Sequence, residues 1–289
     1  MTRLWNAWMQ WMDTEVDPRP LALVRIALPL CVLADLARLA QLGLLRDVFT
    51  PYAEGGLNRI ESPHAVVNDW FGPDGAWIAL SATVLCMTLI LLGRWMRPAI
   101  VVGVLAYAQL GHIFPPGDRA IDRLIRTALL ILLFSGADGA FAWGRKRRWR
   151  VPAWPEHFLR LFLVLVYTSA GIAKLIQQPE WLSLTADPPL LRILIDPMAG
   201  TLEPDFWAQF PDVFRALGMA TIALELSSIL LLTRWRTAWA LGAILMHLGI
   251  WATMSLGMFS PGMLAVYPAV VAPLLRRTWF RTKPSGRVG

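Results

Sequence analysis

Residues 158–177 read FLRLFLVLVYTSAGIAKLIQ, an apolar run interrupted by charge only at Arg160 and Lys174. About 20 apolar residues are enough for a helix to cross the hydrocarbon core of a bilayer. The run therefore predicts a membrane span and an all-α fold, because a lone segment in lipid can satisfy its backbone only as a helix. Lys174 is the residue that stands out. An ionisable group inside a span is expensive and is a functional candidate by default. The competing reading is that Lys174 snorkels its amine to the headgroups along its long stem.

The rest of the chain repeats the pattern. It is 56% hydrophobic and 16% charged, with a mean hydropathy of +0.50, whereas soluble domains carry about 25% charged residues. The formal net charge of +7 raises nucleic acid as a partner. Its basic residues sit mainly in short loops beside apolar runs, as the positive-inside rule expects, so the lipid bilayer is the expected partner and nucleic acid is not. Cys31 and Cys86 both lie in apolar runs without metal spacing. Neither a disulfide framework nor a metal site is expected. No phosphate-binding loop, GxGxxG, HExxH or GxSxG motif is present.

Eight spans are predicted, at about 20–42, 75–94, 97–114, 120–141, 156–177, 213–233, 235–254 and 258–275. Arg94 and Arg97, then Arg145-Lys146-Arg147-Arg148 with Arg150, then Arg234 and Arg236, then Arg276, Arg277 and Arg281 mark one side. The alternate connections, 45–73 and 178–212, are long and hold more acidic than basic residues. This alternation puts both termini in the cytoplasm. The whole chain, 1–289, is expected to form a single transmembrane domain. Residues 1–16 place Leu4, Trp5, Trp8 and Met12 at helical spacing, predicting an amphipathic interfacial helix, and residues 276–289 form a basic cytoplasmic tail. Leu190 to Ile195 reads as a short helix lying on the membrane. The expected setting is a bacterial-type plasma membrane with the site facing outward.

Converting sequence offset to depth at about 1.5 Å per residue puts most intramembrane polar groups between the midplane and the outer surface. These are Asp35 with Arg38 in span one, His112 at the end of span three, and Asp122 at the start of span four. Lys174 near the end of span five, Glu225 in span six and His247 in span seven complete the set. An outward-opening cavity lined by Lys174 and His247, with Glu225 beside it, would produce this layer. Arg25 lies near the inner end of span one and is expected to snorkel. Arg123 and Arg126 are expected to balance acidic groups or face phosphates rather than perform chemistry.

Several separated segments resemble the HTTM family of membrane domains, which includes the vitamin K-dependent γ-carboxylases. They are Asp17-Pro18-Arg19-Pro20-Leu21-Ala22 through Ile26 with Asp35, then Tyr167 through Leu175 with Trp181 shortly after, and His247 through Ser260 including Gly257-Met258-Phe259. Glu225-Leu226-Ser227 matches an acidic-Leu-Ser position between the last two. The resemblance implies Lys174 as the base that removes a proton from a reduced quinone, with His247 holding the quinol oxygen. It implies that Tyr167, Glu225, His112, Asp35, Asp122 and Met258 line the quinone or lipid site. Among Leu163, Leu165, Tyr167, Ile172 and Leu175, desolvation should favour the neutral amine that a general base requires. The carboxylases' large C-terminal extramembrane region is not expected here, because only a short basic stretch follows span eight. The chain also lacks a match for a further family histidine around Gly117 to Asp122. Quinol-linked oxidation or epoxidation is therefore the leading expectation, and a non-catalytic membrane subunit or a lipid- or quinone-binding partner of the same fold is the alternative.

Overall fold

A computed structural model describes residues 2–58, 64–144, 150–196 and 198–278. The basic run Arg145 to Arg148, together with Arg59, Glu61 and Arg281, lies outside the described residues. The chain folds as an all-α protein whose residues cluster into two compact units, 1–155 and 156–289.

In the first unit, helix α1 (Thr2–Asp13) precedes α2 (Arg19–Gln41) and α3 (Leu44–Phe49). The predicted N-terminal helix forms, and it leaves Trp5, Trp8 and Trp11 exposed. Helix α4 (Val66–Phe71) runs through a short 3-10 turn into α5 (Gly75–Leu92), which α6 (Met96–Ile113) follows. The α5–α6 connection turns through left-handed backbone at Gly93 (φ 71°) and Trp95 (φ 45°). Close approach of these two helices depends on a missing side chain. A Cβ at Gly103 would stand 2.8 Å from that of Cys86, and small residues at such contacts let helix backbones pack in lipid. Helix α7 (Ala120–Leu132) then packs on α2 and α6. It stops at Leu132, short of the predicted 141, and continues as turns around Ser135. A two-residue antiparallel pairing of β1 (Glu15–Val16) with β2 (Val151–Pro152) ties the start of this unit to its end.

The second unit contains α8 (Trp154–Gln177), α9 (Pro189–Ile195), α10 (Pro204–Trp207), α11 (Pro211–Leu226) and α12 (Arg236–Thr253). After Leu226 the chain tightens into a 3-10 segment, Ser227–Leu232. The last predicted span is three short pieces: α13 (Phe259–Leu264), α14 (Tyr267–Val270) and α15 (Ala272–Thr278). Pro261, Pro268 and Pro273 punctuate this stretch, and each removes a helical N–H. The short helix predicted at 190–195 forms, but its apolar face turns inward. Leu191 and Leu194 are buried with Phe214, and Trp207 and Met254 pack against them.

Among the described residues, five segments are long and apolar enough to cross a membrane: Arg19–Gln41, Val66–Leu92, Met96–Ile113, Trp154–Gln177 and Pro211–Leu232. In four of them less than half of the most apolar stretch is buried by the protein itself. Leu85, Leu105 and Leu165 are among the side chains left outside. That is the surface of a multi-pass membrane protein, in which lipid covers what the protein does not.

Candidate functional site

Helix α8 presents Tyr167, Gly171 and Lys174 at spacings of four and three residues, which places them in one stripe. Lys174 Nζ donates to Glu225 Oε1 at 2.5 Å. Glu225 comes from the last turn of α11 and is buried, while the lysine side chain is 28% exposed. The amine also stands 5.7 Å from the centre of the Trp181 ring, within cation–π range. Trp181 is buried and fixed by its Nε1 donating to Gln178 Oε1 at 3.0 Å. Lys174 therefore does not sit in an apolar sleeve, as its sequence neighbours alone imply. A buried carboxylate faces it directly.

Gly171 makes that pairing geometrically possible. A Cβ there would meet Leu226 Cδ2 at 3.0 Å and Glu225 Cβ at 3.2 Å. Its absence lets α11 approach the stripe at the level of the ion pair. One turn earlier, Thr168 Oγ1 and Ser228 Oγ are 2.8 Å apart, and Ser228 also donates to Val164 O at 3.2 Å. These contacts pin the 3-10 segment to α8. In the last turn of α11, Leu224 O accepts from Trp239 Nε1 at 2.9 Å.

The second polar group of the stripe surrounds Tyr167. Its hydroxyl lies 2.6 Å from His247 Nε2 and 2.7 Å from the Tyr267 hydroxyl. Trp239 closes against the Tyr167 ring edge-on, with centroids 5.0 Å apart. Phe259 stands 5.8 Å from the His247 ring. Met258 caps the helix that carries Phe259, and Gly257 before it adopts φ 57°, which a side chain would strain. Tyr167 and Lys174 are seven residues apart, or about 10 Å along the helix.

Three buried atoms around this stripe have no hydrogen-bond partner among the described residues: Glu225 Oε2, His247 Nδ1 and Ser260 Oγ. Buried polar atoms are normally paired. An acceptor, a ring nitrogen and a hydroxyl left open suit a ligand or water that carries hydroxyl or carbonyl oxygens. They do not suit a purely hydrocarbon one.

The remaining candidates, Asp35, His112 and Asp122, belong to the first unit. Asp122 is buried at the third position of α7, where it accepts from the backbone N–H of Arg119 at 2.8 Å. It also accepts from Arg119 Nε at 3.0 Å, Arg119 Nη2 at 3.1 Å and the Tyr107 hydroxyl at 2.5 Å. A carboxylate has about four acceptor positions, so Asp122 offers none to a quinone. It is a helix cap and an ion-pair partner. Asp35 pairs with Arg119 Nη2 at 2.5 Å, while its expected neighbour Arg38 is exposed. Burial acts to lower the Arg119 pKa, but hydrogen bonds to Asp122 and Asp35 outweigh it and raise the pKa above that of an ordinary guanidinium. Arg123 and Arg126 both bind Asp118, as their expected balancing role requires. His112 is exposed, with its ring 5.7 Å from that of His64. Arg25 does not snorkel. It is wholly buried and donates to Phe141 O at 2.8 Å.

Sequence reasoning missed Tyr267, Tyr107 and Arg119. Arg119 stands three residues before Asp122, the spacing of a helix-capping pair, and that was its one readable signal. Tyr267 gave none, because nothing local distinguishes it from an interfacial tyrosine. Compared with protein-family models, curated proteins and solved structures, the chain matches none of them.

Proposed function

We propose that this chain is a multi-pass membrane enzyme of the HTTM type, acting on a reduced quinone or a similar lipid-soluble hydroxyl compound, with Lys174 as base. The observation that carries the reading is the α8 stripe. It brings an amine–carboxylate pair and a Tyr–His–Tyr cluster onto one helix face beside three unpartnered buried polar atoms. The eight-span topology with both termini in the cytoplasm belongs to the same proposal, and places the stripe's Lys174 end near the outer surface.

When bound, the reduced quinone would be the electron donor and dioxygen the acceptor. The protein's part is proton handling. Transfer of one proton from Lys174 Nζ to Glu225 Oε1 converts the ion pair into an amine beside a carboxylic acid without separating charge. The amine then accepts the proton of a substrate hydroxyl, and Glu225 remains protonated one bond away. His247 is poised to hold the substrate's second oxygen, because its Nε2 is taken by Tyr167 and its Nδ1 is open. With Tyr167 donating to Nε2, the proton of the neutral ring sits on Nδ1, which makes that atom a donor.

The test supplies purified protein in lipid with a reduced quinone, oxygen and carbon dioxide, and follows quinone epoxide by mass. Lys174→Ala should abolish product while the protein stays folded, and a small exogenous amine should restore part of it. Lys174→Arg should be equally inactive, because a guanidinium holds its proton. Equal product from wild type and Lys174→Ala removes Lys174 from the chemistry. Quinone binding without turnover by wild type would identify a non-catalytic quinone-binding subunit of the same fold.

A further inference from the structure

At the opposite end of α8 from Lys174, charge is out of balance. Glu156 in the first turn is buried and accepts from Arg276 Nη2. Arg160, one turn on, is also buried, with its Nε donating 3.1 Å to Glu156 O and its Nη2 against His157 Nδ1. Arg236, the first residue of α12, is half-buried and within electrostatic range of Glu156, Arg160 and Arg276. Its side chain makes no hydrogen bond among the described residues. Three guanidiniums thus converge on one carboxylate.

The helices that carry them, α8, α12 and α15, hold no further carboxylate side chain. Between Asp138 and Glu180 the only carboxylate side chain is Glu156, and after Asp212 the only one is Glu225. Glu225 is committed to Lys174, which is 18 residues from Glu156 along α8. That offset is about 27 Å of helix. Helix α12 adds to the excess. Its first turn has no acidic residue and no side-chain cap, so the partial positive charge of its N-terminus points at the same place. Uncompensated charge beside hydrocarbon is costly. A partner that supplies negative charge and several acceptor oxygens at once would relieve it, and guanidiniums bind phosphate in that way.

We propose that Arg160, Arg236 and Arg276 form a binding site for the phosphate of an anionic phospholipid headgroup, with Glu156 holding the guanidiniums in place. The site is independent of any chemistry at Lys174. A lipid is the natural source of the phosphate because α8 is a span-length apolar helix and the cluster sits in its first turns. Basic pockets between membrane helices recognise anionic headgroups in this manner.

Native mass spectrometry of the full-length protein, offered phosphatidylglycerol and phosphatidylcholine in equal amounts, tests the site. Wild type should retain phosphatidylglycerol preferentially. Arg236→Gln, which removes no protein hydrogen bond, should weaken that retention about tenfold, the loss of one charge-assisted contact. Arg236→Lys should keep most of it. Arg234→Gln removes the same charge from an exposed position over the Trp235 ring and should leave retention unchanged. Equal damage from Arg234→Gln and Arg236→Gln, or none from either, overturns the site. Saturable binding of inorganic phosphate with no preference between the two lipids overturns the lipid assignment in favour of free phosphate. A photoactivatable phosphatidylglycerol on wild type needs no variant. It should label peptides around 156–160, 236 or 276, and labelling confined elsewhere overturns the proposal.

Discussion

Lys174 and Glu225 show what a single buried pair contributes. Removing one partner of a buried ion pair costs about 3–5 kcal/mol, because the other charge is stranded. Lys174 is 28% exposed, so Glu225→Gln should fall at the lower end, about 3 kcal/mol. Replacing both residues by apolar ones, Lys174→Met with Glu225→Leu, should be more stable than Glu225→Gln alone. A double-mutant cycle on thermal unfolding in detergent measures this. A second residue-scale prediction follows from the shared hydroxyl of Tyr167. Tyr167→Phe breaks the contacts to both His247 and Tyr267, whereas Tyr267→Phe breaks one. Since leaving a buried partner unsatisfied costs about 1–3 kcal/mol, the Tyr167 variant should melt lower than the Tyr267 variant. Equal losses would mean that the His247 contact contributes nothing.

At the scale of elements, the distance between α8 and α11 is set by Gly171. An alanine there places a Cβ 3.0 Å from the tip of Leu226, which a flexible side chain can yield, but only 3.2 Å from Glu225 Cβ. Overpacking of this kind costs about 1–3 kcal/mol. Gly171→Ala should be mildly destabilising. Gly171→Leu should force the helices apart and separate Lys174 from Glu225. In that variant, adding Glu225→Gln should cost little more, since the pair is already broken. The 3-10 segment after α11 is the other element-scale feature, and such segments inside helices often mark functional hinges. Here it brings Ser228 to α8 and Ser227 to Trp239.

For the whole molecule, the proposed topology, with both termini inside, can be tested by labelling. Cysteines replacing Tyr52 and Leu184, both exposed, should react with an impermeant reagent outside the cell. Cysteines replacing Trp143 and Trp235, also exposed, should react only after permeabilisation. The native Cys31 and Cys86 are buried, so background should be low. Reaction of the Trp235 position in intact cells would reverse the proposed orientation of α11 and α12. Each compact unit also contains an ion cluster of its own, Asp35–Arg119–Asp122 in one and Lys174–Glu225 in the other. Arg119→Gln strands two carboxylates in the first unit and should lower its thermal stability more than Arg123→Gln, whose guanidinium is largely exposed.

Composition and periodicity alone determined that this chain is helical and built to meet lipid, because an apolar run of span length has few ways to satisfy its backbone outside water. They also singled out Lys174, Glu225, His247 and Asp35, since a charged or polar group in such a run needs a partner whatever the fold. Which partner it finds depends on contacts between residues far apart in the chain. The pairing of Asp35 with Arg119 rather than Arg38, and of Arg25 with the Phe141 carbonyl rather than the headgroups, was settled by helix packing. So was the inward turn of Leu191 and Leu194. Local spacing fixes which residues share a face, and only the packing of that face decides what they touch. The lysine was legible in the sequence. The carboxylate 2.5 Å from it, and the glycine that lets the two helices close on the pair, belonged to the tertiary structure.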